Sequence, residues 1–269
     1  MQPLFDEDFD ALELIEGALV LNHAINPDTQ VDWVNVELQR LLAEAELALV
    51  HESNEQQRFE AFLRLFYFDW GFQGDVEAYF DSANAFVDKV LERRKGIPVS
   101  LGAVMLYIGK RLGFPIDGIT FPTQFLLTLQ WPGQKPLYVN PFNGEYVSEH
   151  TLRAWLVGHR GPFAQLESKH LEIADHPTVI GRWLALIKSA LLREEQYSLA
   201  LHCTDLALSF VPDDPYEIRD RGFIYQQLDC HKMALTDYQY FIDQCPDDPA
   251  ADLLKNQVRA MSQTQVTLH

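Results

Sequence analysis

The last third of the chain repeats itself at a spacing of 34 residues. Pro212 recurs as Pro246, and Ala200 recurs as Ala234 at the same interval. A fixed period in this range is typical of stacked supersecondary units, none of which can bury its apolar face alone. The repeat therefore predicts pairs of packed helices over residues 176–262, with a tail at 263–269.

The second repeat unit carries the more complete pattern of small and aromatic residues, namely Gly222, Tyr225, Ala234, Tyr238 and Pro246. This pattern resembles the tetratricopeptide repeat, in which small residues let two helices approach and aromatic rings fill the space between them. The first unit is similar but has Lys188 where a small residue is usual. We expect two helical hairpins and a closing helix over residues 250–261.

Upstream of the repeats, the apolar residues between Phe9 and Phe66 fall at helical spacing. Residues 82–94 predict another helix, which should stop near Gly96. Pro98 suits the first turn of the next helix, which should run to Leu112, since proline is tolerated where the backbone donor is unused. This helix is strongly apolar, so we expect it to be buried.

Beyond this helix the period changes to that of strands. Short runs rich in branched and aromatic residues, separated by proline and glycine, occupy residues 114–121, 124–131 and 137–139. They predict a small antiparallel sheet packed on the apolar helix, followed by a helix over residues 148–157. The fold class is α+β and predominantly helical, with a helical region at 1–80 and a core at 81–165.

The charge of the chain excludes some classes of partner. The net charge is −18, and residues 1–60 hold 14 acidic and 2 basic side chains. Phosphates would be repelled, so we expect neither nucleic acid nor an anionic membrane as a partner. We favour a solvated helix face over a partner surface as the explanation of these acids. No apolar run approaches the roughly 18 residues of a membrane span, and the acidic start is unlike a secretory signal, so we expect a cytoplasmic protein.

Three runs in the central region are more specific than any single short motif. They are VLERRKGIPVSL at 90–101, FPTQFL at 121–126 and VNPFNG at 139–144. Together with the helical start and the repeats at the end, these runs resemble the bacterial SirB-type family over nearly the whole chain. The resemblance implies a transglutaminase-like core.

In catalytic transglutaminase-like proteins these three runs hold a cysteine, a histidine and an aspartate. The corresponding positions here are Pro98, Gln124 and Asn140. Proline offers no nucleophile, and the two amides cannot accept and return a proton near neutral pH, although they keep much of the shape and hydrogen-bonding capacity. The resemblance therefore implies a transglutaminase-like fold without transglutaminase chemistry.

Another nucleophile remains an alternative. Ser100 lies two residues after Pro98, and a cysteine could come from the late part of the chain, at Cys203, Cys230 or Cys245. We favour a capping or buried hydroxyl as the role of Ser100. We expect the cysteines, an odd number in helical surroundings, to be small core residues rather than a disulfide framework.

We expect no metal and no cofactor. The histidines of the later core and linker are spaced by 9, 11 and 6 residues, which is no metal-binding pattern; they are His150, His159, His170 and His176. The basic triplet of residues 93–95 stands at the end of a predicted helix, where its charges interact favourably with the helix dipole.

The repeat register predicts a binding surface on the first helix of each hairpin. Its candidate residues are Arg182, Arg193, Tyr216, Arg219, Phe223 and Gln226. The arginine fork binds carboxylates bidentately, so an acidic peptide is a suitable ligand. The alternative is that these arginines pair with acids of the chain itself, such as Glu194 or Glu217.

The leading hypothesis is thus a non-catalytic scaffold or adaptor that binds protein partners and has lost its enzymatic groups. The alternative is a hydrolase or acyltransferase with an unconventional nucleophile. A regulatory role, acting on gene expression through a partner protein, follows from the family resemblance alone.

Overall fold

The computed structural model describes residue 9 and residues 11–266, with side chains up to residue 263. The chain divides into two compact units. The first comprises Phe9–His23 and Pro27–Trp183, and the second is built mainly from Leu184 onward. None of the helices in the described part combines the length and the apolar character that crossing a bilayer requires.

The first unit contains seven α-helices among the described residues, the last of which continues past its boundary. They are α1 Leu14–Ile25, α2 Val31–Leu49, α3 Glu55–Arg64, α4 Val87–Arg93, α5 Pro98–Arg111, α6 Glu149–Arg160 and α7 His176–Arg193. Helix α3 runs into a π-helical turn at Leu65–Asp69. Short 3₁₀ turns lie at Ser82–Asn84 and Ser168–Leu171. The predicted helical character of the N-terminal region is confirmed.

Two sheets belong to the first unit. A pair of two-residue strands, β1 Gln73–Gly74 and β2 Lys95–Gly96, is parallel. Three further strands form an antiparallel meander in the order β3-β4-β5, with bounds β3 Ile116–Thr120, β4 Phe125–Leu129 and β5 Leu137–Val139. The meander confirms the predicted sheet, and its strands lie within the predicted ranges.

Helix α5 is the centre of the first unit. Every residue from Pro98 to Gly109 is buried, because the sequence is apolar on all sides of the helix and such a helix must be covered all round. One face of the meander packs on α5, where the methyl groups of Ile116 approach Gly109. The other face packs on α6 through a cluster that includes Ile119, Leu126 and Leu152.

The prediction of one continuous helix over residues 82–94 is wrong. The carbonyl of Ala85 accepts hydrogen bonds from Trp183 Nε1 at 2.9 Å and Asn22 Nδ2 at 3.3 Å. The side-chain oxygen of Asn22 accepts from the backbone N–H of Val87 at 2.8 Å. These three bonds replace helical ones, so the chain makes a 3₁₀ turn, breaks, and starts α4 at Val87.

The basic triplet forms ion pairs rather than acting on a helix dipole alone. Arg93 Nη2 lies 3.0 Å from the buried carboxylate of Asp75, and Lys95 Nζ lies 4.0 Å from the same carboxylate. Arg94 pairs with Glu37 and stacks over the ring of Phe72 at 4.6 Å. The triplet therefore neutralises acids of the first unit.

The second unit consists of helical hairpins, as the 34-residue period predicts. After the end of α7, its helices are α8 Tyr197–Phe210, α9 Pro215–Gln227, α10 His231–Gln244 and α11 Pro249–Val266. Gly222 of α9 lies against α10, where a methyl group on it would sit 3.0 Å from the ring of Tyr238. Only a small residue allows this approach, which is the role that the repeat pattern assigns to it.

Lys188, the residue that departs from the repeat pattern, is buried in a carboxylate cluster. Its Nζ lies 2.7 and 2.8 Å from the two carboxylate oxygens of Glu217 and 2.8 Å from Asp220. Burial alone lowers the pKa of Lys188, but the hydrogen bonds to Asp220 and Glu217 outweigh it and hold the pKa above its usual value. The lysine therefore ties the end of α7 to α9.

We predict that Lys188→Ala lowers the free energy of unfolding by about 3 kcal/mol, because it leaves two carboxylates together without their cation. Since its pKa is raised, the contribution of Lys188 is fully present at neutral pH and is lost only as the pH rises above about 10.5. Urea unfolding of the full chain at pH 7 measures the loss.

The matched control for this prediction is Lys232→Ala, which removes an exposed lysine of α10. It should change the free energy of unfolding by less than about 0.5 kcal/mol. Equal losses for the two variants would show that the buried cluster does not stabilise the second unit.

Candidate functional site

The candidate site begins at the start of helix α5. Pro98 is the first residue of the helix and is buried. Ser100 is 1% exposed, and its hydroxyl accepts from the N–H of Ile97 at 3.1 Å and donates to the carbonyl of Asn84 at 2.6 Å. The predicted role of Ser100 as a buried, capping hydroxyl is confirmed.

A glycine one turn further along α5 brings the strands close to this helix start. A methyl group at Gly102 would lie 2.6 Å from the ring of Phe125 and 3.2 Å from the ring of Pro141. Phe125 follows Gln124 in sequence, and Pro141 follows Asn140. The absence of a side chain at Gly102 therefore places the ends of two strands beside the first turn of α5.

Strand register places Gln124 and Asn140 at the same end of the sheet. Strand β4 pairs with β5 so that Leu127 faces Val139. Gln124 stands just before β4, and Asn140 stands just after β5. Because the strands are antiparallel, the start of β4 lies beside the end of β5. Both residues therefore lie at the end of the sheet that is close to the start of α5. The structure thus brings the surroundings of Pro98, Gln124 and Asn140 together.

The side-chain amides of the two residues differ in their hydrogen bonding. Asn140 Oδ1 accepts from the N–H of Phe142 at 3.0 Å, and its carbonyl accepts from Gly144, so Asn140 shapes a tight turn. Gln124 is half-buried, and its Nε2 is buried without a hydrogen-bond partner among the described residues. A buried amide N–H without a hydrogen-bond partner costs about 1–3 kcal/mol.

Among the described residues, the Ser100 hydroxyl has no side-chain base as a hydrogen-bond partner. Each hydrogen bond of the Ser100 hydroxyl goes to the backbone. His170 bonds to the N–H of Glu167, and His176 bonds to the carbonyl of Leu12. Neither histidine reaches a thiol or a hydroxyl, and no group of three potential metal ligands forms in the described part of the chain.

The late cysteines lie in the second unit. Cys203 is buried, Cys245 is partly buried and Cys230 is exposed. Burial raises the pKa of the Cys203 thiol to about 12, so this sulfur stays protonated at neutral pH. The expectation of three core cysteines is thus wrong for Cys230, which stands just before α10 in the chain reversal between α9 and α10.

The second unit also carries the predicted binding residues of α9. Their spacing puts Tyr216, Arg219, Phe223 and Gln226 on one side of the helix, and we call this set the α9 surface. Arg219 bonds to Asp220 at 2.7 Å, and Gln226 accepts from Tyr238 at 2.8 Å. Tyr216 and Phe223 are 48% and 40% exposed. The polar groups, including the Tyr216 hydroxyl that bonds to Asp248, are thus engaged within the chain, while both aromatic rings remain partly exposed.

The two predicted arginines of α7 are both exposed. Arg182 belongs to the first unit, where its Nη1 approaches the carbonyl of Phe121 at 3.5 Å. Arg193 belongs to the second unit and interacts within the chain. The alternative that these arginines pair with acids of the chain itself therefore has structural support at Arg219, which bonds to Asp220, whereas the contact of Arg182 is to a backbone carbonyl.

Sequence reasoning missed an aromatic loop that borders the site. The ring of Tyr79 contacts those of Phe80 and Phe142, and Phe142 lies two residues after Asn140. Val76 and Phe80 are 78% and 59% exposed. The signal was present as three large apolar residues in the short loop between β1 and the first 3₁₀ turn.

Comparison with known proteins agrees with this architecture. The model of the transglutaminase-like superfamily matches residues 32–185, and a tetratricopeptide repeat model matches residues 187–259. The chain belongs to the transglutaminase-like superfamily, and a tetratricopeptide repeat region follows that domain in the sequence. No solved structure matches the chain.

Its relatives are SirB1 and UPF0162 proteins of bacteria. A UPF0162 protein of Vibrio cholerae is 72% identical over the full length of both chains. Protein SirB1 of Salmonella typhimurium and UPF0162 protein YchA of Escherichia coli are each 40% identical, again over the full length of both chains. The resemblance to the SirB-type family is therefore confirmed.

We predict that Gly102→Ala destabilises the protein by about 1–3 kcal/mol, because the added methyl group would overlap the ring of Phe125. The control is Gly158→Ala in α6, where nothing lies within 4 Å of the added methyl group. That variant should be stabilised by up to about 1 kcal/mol through helix propensity. Thermal unfolding measures both, and a Gly102→Ala variant as stable as the wild type would contradict the close approach.

We predict that iodoacetamide at pH 8 modifies Cys230 in the folded protein and leaves Cys203 unmodified. The Cys203 thiol is buried and has a pKa of about 12, whereas Cys230 is exposed. Mass spectrometry of digested samples measures each site, with urea-unfolded protein as the control in which both react. If Cys203 is modified at the same rate as Cys230, the prediction is wrong and Cys203 becomes a candidate nucleophile.

Proposed function

We propose that this protein is a non-catalytic, cytoplasmic scaffold of the transglutaminase-like superfamily that binds protein partners. One observation carries the proposal. The segments that flank the three positions of the resemblance to a triad meet near the start of α5, and these positions hold Pro98, Gln124 and Asn140. None of these side chains titrates near neutral pH. In this proposal, the site keeps the arrangement of a reaction site and lacks the means of moving a proton.

The neighbouring hydroxyl does not supply the missing chemistry in this proposal. A serine nucleophile needs a base that takes its proton. The Ser100 hydroxyl donates to the carbonyl of Asn84, which is no base, and the hydroxyl is almost wholly buried. Its bonds tie the start of α5 to the 3₁₀ turn before α4, which is a structural task.

A retained binding role is supported by the unpaired amide. Gln124 Nε2 has no acceptor among the described residues, and the carbonyl of an extended polypeptide would satisfy it. The exposed rings of the loop that contains Tyr79 and Phe80 lie beside the same site and would offer apolar contact. In this proposal, the degenerate site holds a chain that it cannot cleave or modify.

The α9 surface is the second element of the proposal. Tetratricopeptide repeats are a protein-interaction architecture, and exposed aromatic rings are common anchors in protein interfaces. Tyr216 and Phe223 present such rings, and Arg219 stacks over Tyr216 at 5.4 Å. An acidic peptide could still reach the guanidinium of Arg219, because Asp220 engages it through a single carboxylate oxygen.

Partner capture tests the binding part of the proposal. Wild-type protein, immobilised and crosslinked in a bacterial lysate, should recover a specific protein that the Tyr216→Ala/Phe223→Ala double variant recovers at least tenfold less. Leu253→Ala, which removes a 72% exposed side chain of α11, is the matched control and should recover the partner normally. If none of the three proteins recovers a specific partner, the scaffold proposal fails.

A turnover assay tests the non-catalytic part. The protein, incubated with a glutamine-rich polypeptide and a fluorescent primary amine, should incorporate no more amine than a sample without protein. Peptide hydrolysis should likewise stay at background. Incorporation or hydrolysis that disappears in a Ser100→Ala variant with unchanged thermal unfolding would establish the alternative enzyme.

A further inference from the structure

A groove runs along the outer side of helix α3 in the first unit. It has a volume of about 780 Å³ and its lining includes Glu52, Glu60, Tyr67, Phe68, Glu145 and Tyr146. We call it the α3 groove. A second hollow of about 570 Å³ shares Glu60 and Tyr146 with it. The two hollows therefore adjoin at this pair, and together they offer an extended ligand space along α3.

The pair at the junction of the hollows is held in place by a hydrogen bond. The Tyr146 hydroxyl donates to the Glu60 carboxylate at 2.6 Å. Tyr146 continues the sheet beyond β5, since it forms a bridge with Val139. This hydrogen bond thus links helix α3 to the sheet, and its phenol and carboxylate belong to the lining of both hollows.

The carboxylates of this groove are not neutralised by the chain. Glu52, Glu60 and Glu145 form no ion pair with any lysine or arginine in the described residues. Elsewhere in the first unit the carboxylates of Asp75 and Glu37 are paired with arginines. Three unpaired acids in one groove leave a negative potential that attracts a cation.

The remaining charged residues of the two hollows are Arg64, Lys135 and Glu149. Glu149 lies 3.6 Å from Arg153, a residue of the same helix. Arg64 lies one turn from Glu60 on α3 and forms no ion pair within the part of the chain that the structure describes. Four acids against two basic residues give the joined hollows a net negative lining.

Aromatic side chains complete the lining. Phe68 is 81% exposed and Tyr146 is 44% exposed. Aromatic faces attract ammonium and guanidinium groups, and they also pack on the aliphatic stems of lysine and arginine. Carboxylates beside exposed rings are therefore complementary to basic side chains rather than to acidic or purely apolar ones.

We propose that the α3 groove binds an extended polypeptide segment rich in lysine or arginine. The basic side chains would pair with Glu60 and Glu145 and lie against the rings of Phe68 and Tyr146. This site differs from the α9 surface in its unit, its charge and its ligand. If binding at one of these two sites is disproved, the proposal for the other site still stands.

Fluorescence anisotropy with defined probes tests the proposal on the full-length protein. The probe is a fluorescein-labelled dodecapeptide of alternating lysine and serine, and its counterpart has glutamate in place of lysine. The lysine peptide should bind with a micromolar Kd at low salt, and the glutamate peptide should not bind. The Glu60→Gln/Glu145→Gln double variant should weaken binding at least tenfold, and Arg64→Gln should strengthen it several-fold.

The control separates the groove from the charge of the whole chain. Glu46→Gln/Glu172→Gln removes two exposed acids that lie outside both hollows, with the same change in net charge. It should weaken binding less than twofold, and circular dichroism should show all variants folded. Equal weakening by the two double variants, or no binding of the lysine peptide by the wild type, would overturn the proposal.

Discussion

The close approach of the meander to helix α5 at Gly102 is the constraint on which the first unit depends. The ring of Phe125 occupies the space that any side chain at this position would need, and Pro141 lies just beyond it. A sheet can pack this closely on a buried helix only where the helix has a glycine, because any side chain would occupy the same space. The start of α5 and the ends of β4 and β5 meet as a result.

Charge is handled differently in different parts of the molecule. The most buried acids are paired, as with Asp75 and Arg93 in the first unit and Asp237 and Arg221 in the second. Such pairs add little net stability relative to apolar packing, but breaking one is costly, so they specify which elements meet. Some of the acids that form no ion pair in the described residues line the α3 groove. A net charge of −18 is therefore compatible with a well-specified fold.

Much of the fold could be predicted because its signals are local. The period of α5, the proline at its start and the 34-residue repeat all act over short distances in sequence. The break at Ala85 could not be predicted, because it depends on Asn22 and Trp183, which lie 63 and 98 residues away. The match of Pro98, Gln124 and Asn140 to the positions of a triad was inferred from the family resemblance. Spacing alone does not show that two strand ends meet a helix. The α3 groove was missed because its walls come from distant segments.

We propose that the site keeps the geometry of a triad and lacks its titrating groups. A crystal structure of the Pro98→Cys, Gln124→His, Asn140→Asp triple variant tests this proposal. We expect a distance of about 3 Å between the introduced sulfur and the nearest imidazole nitrogen, which is within hydrogen-bonding reach. The introduced carboxylate should be oriented toward the imidazole. A structure in which the sulfur and the imidazole point into separate parts of the core would contradict it.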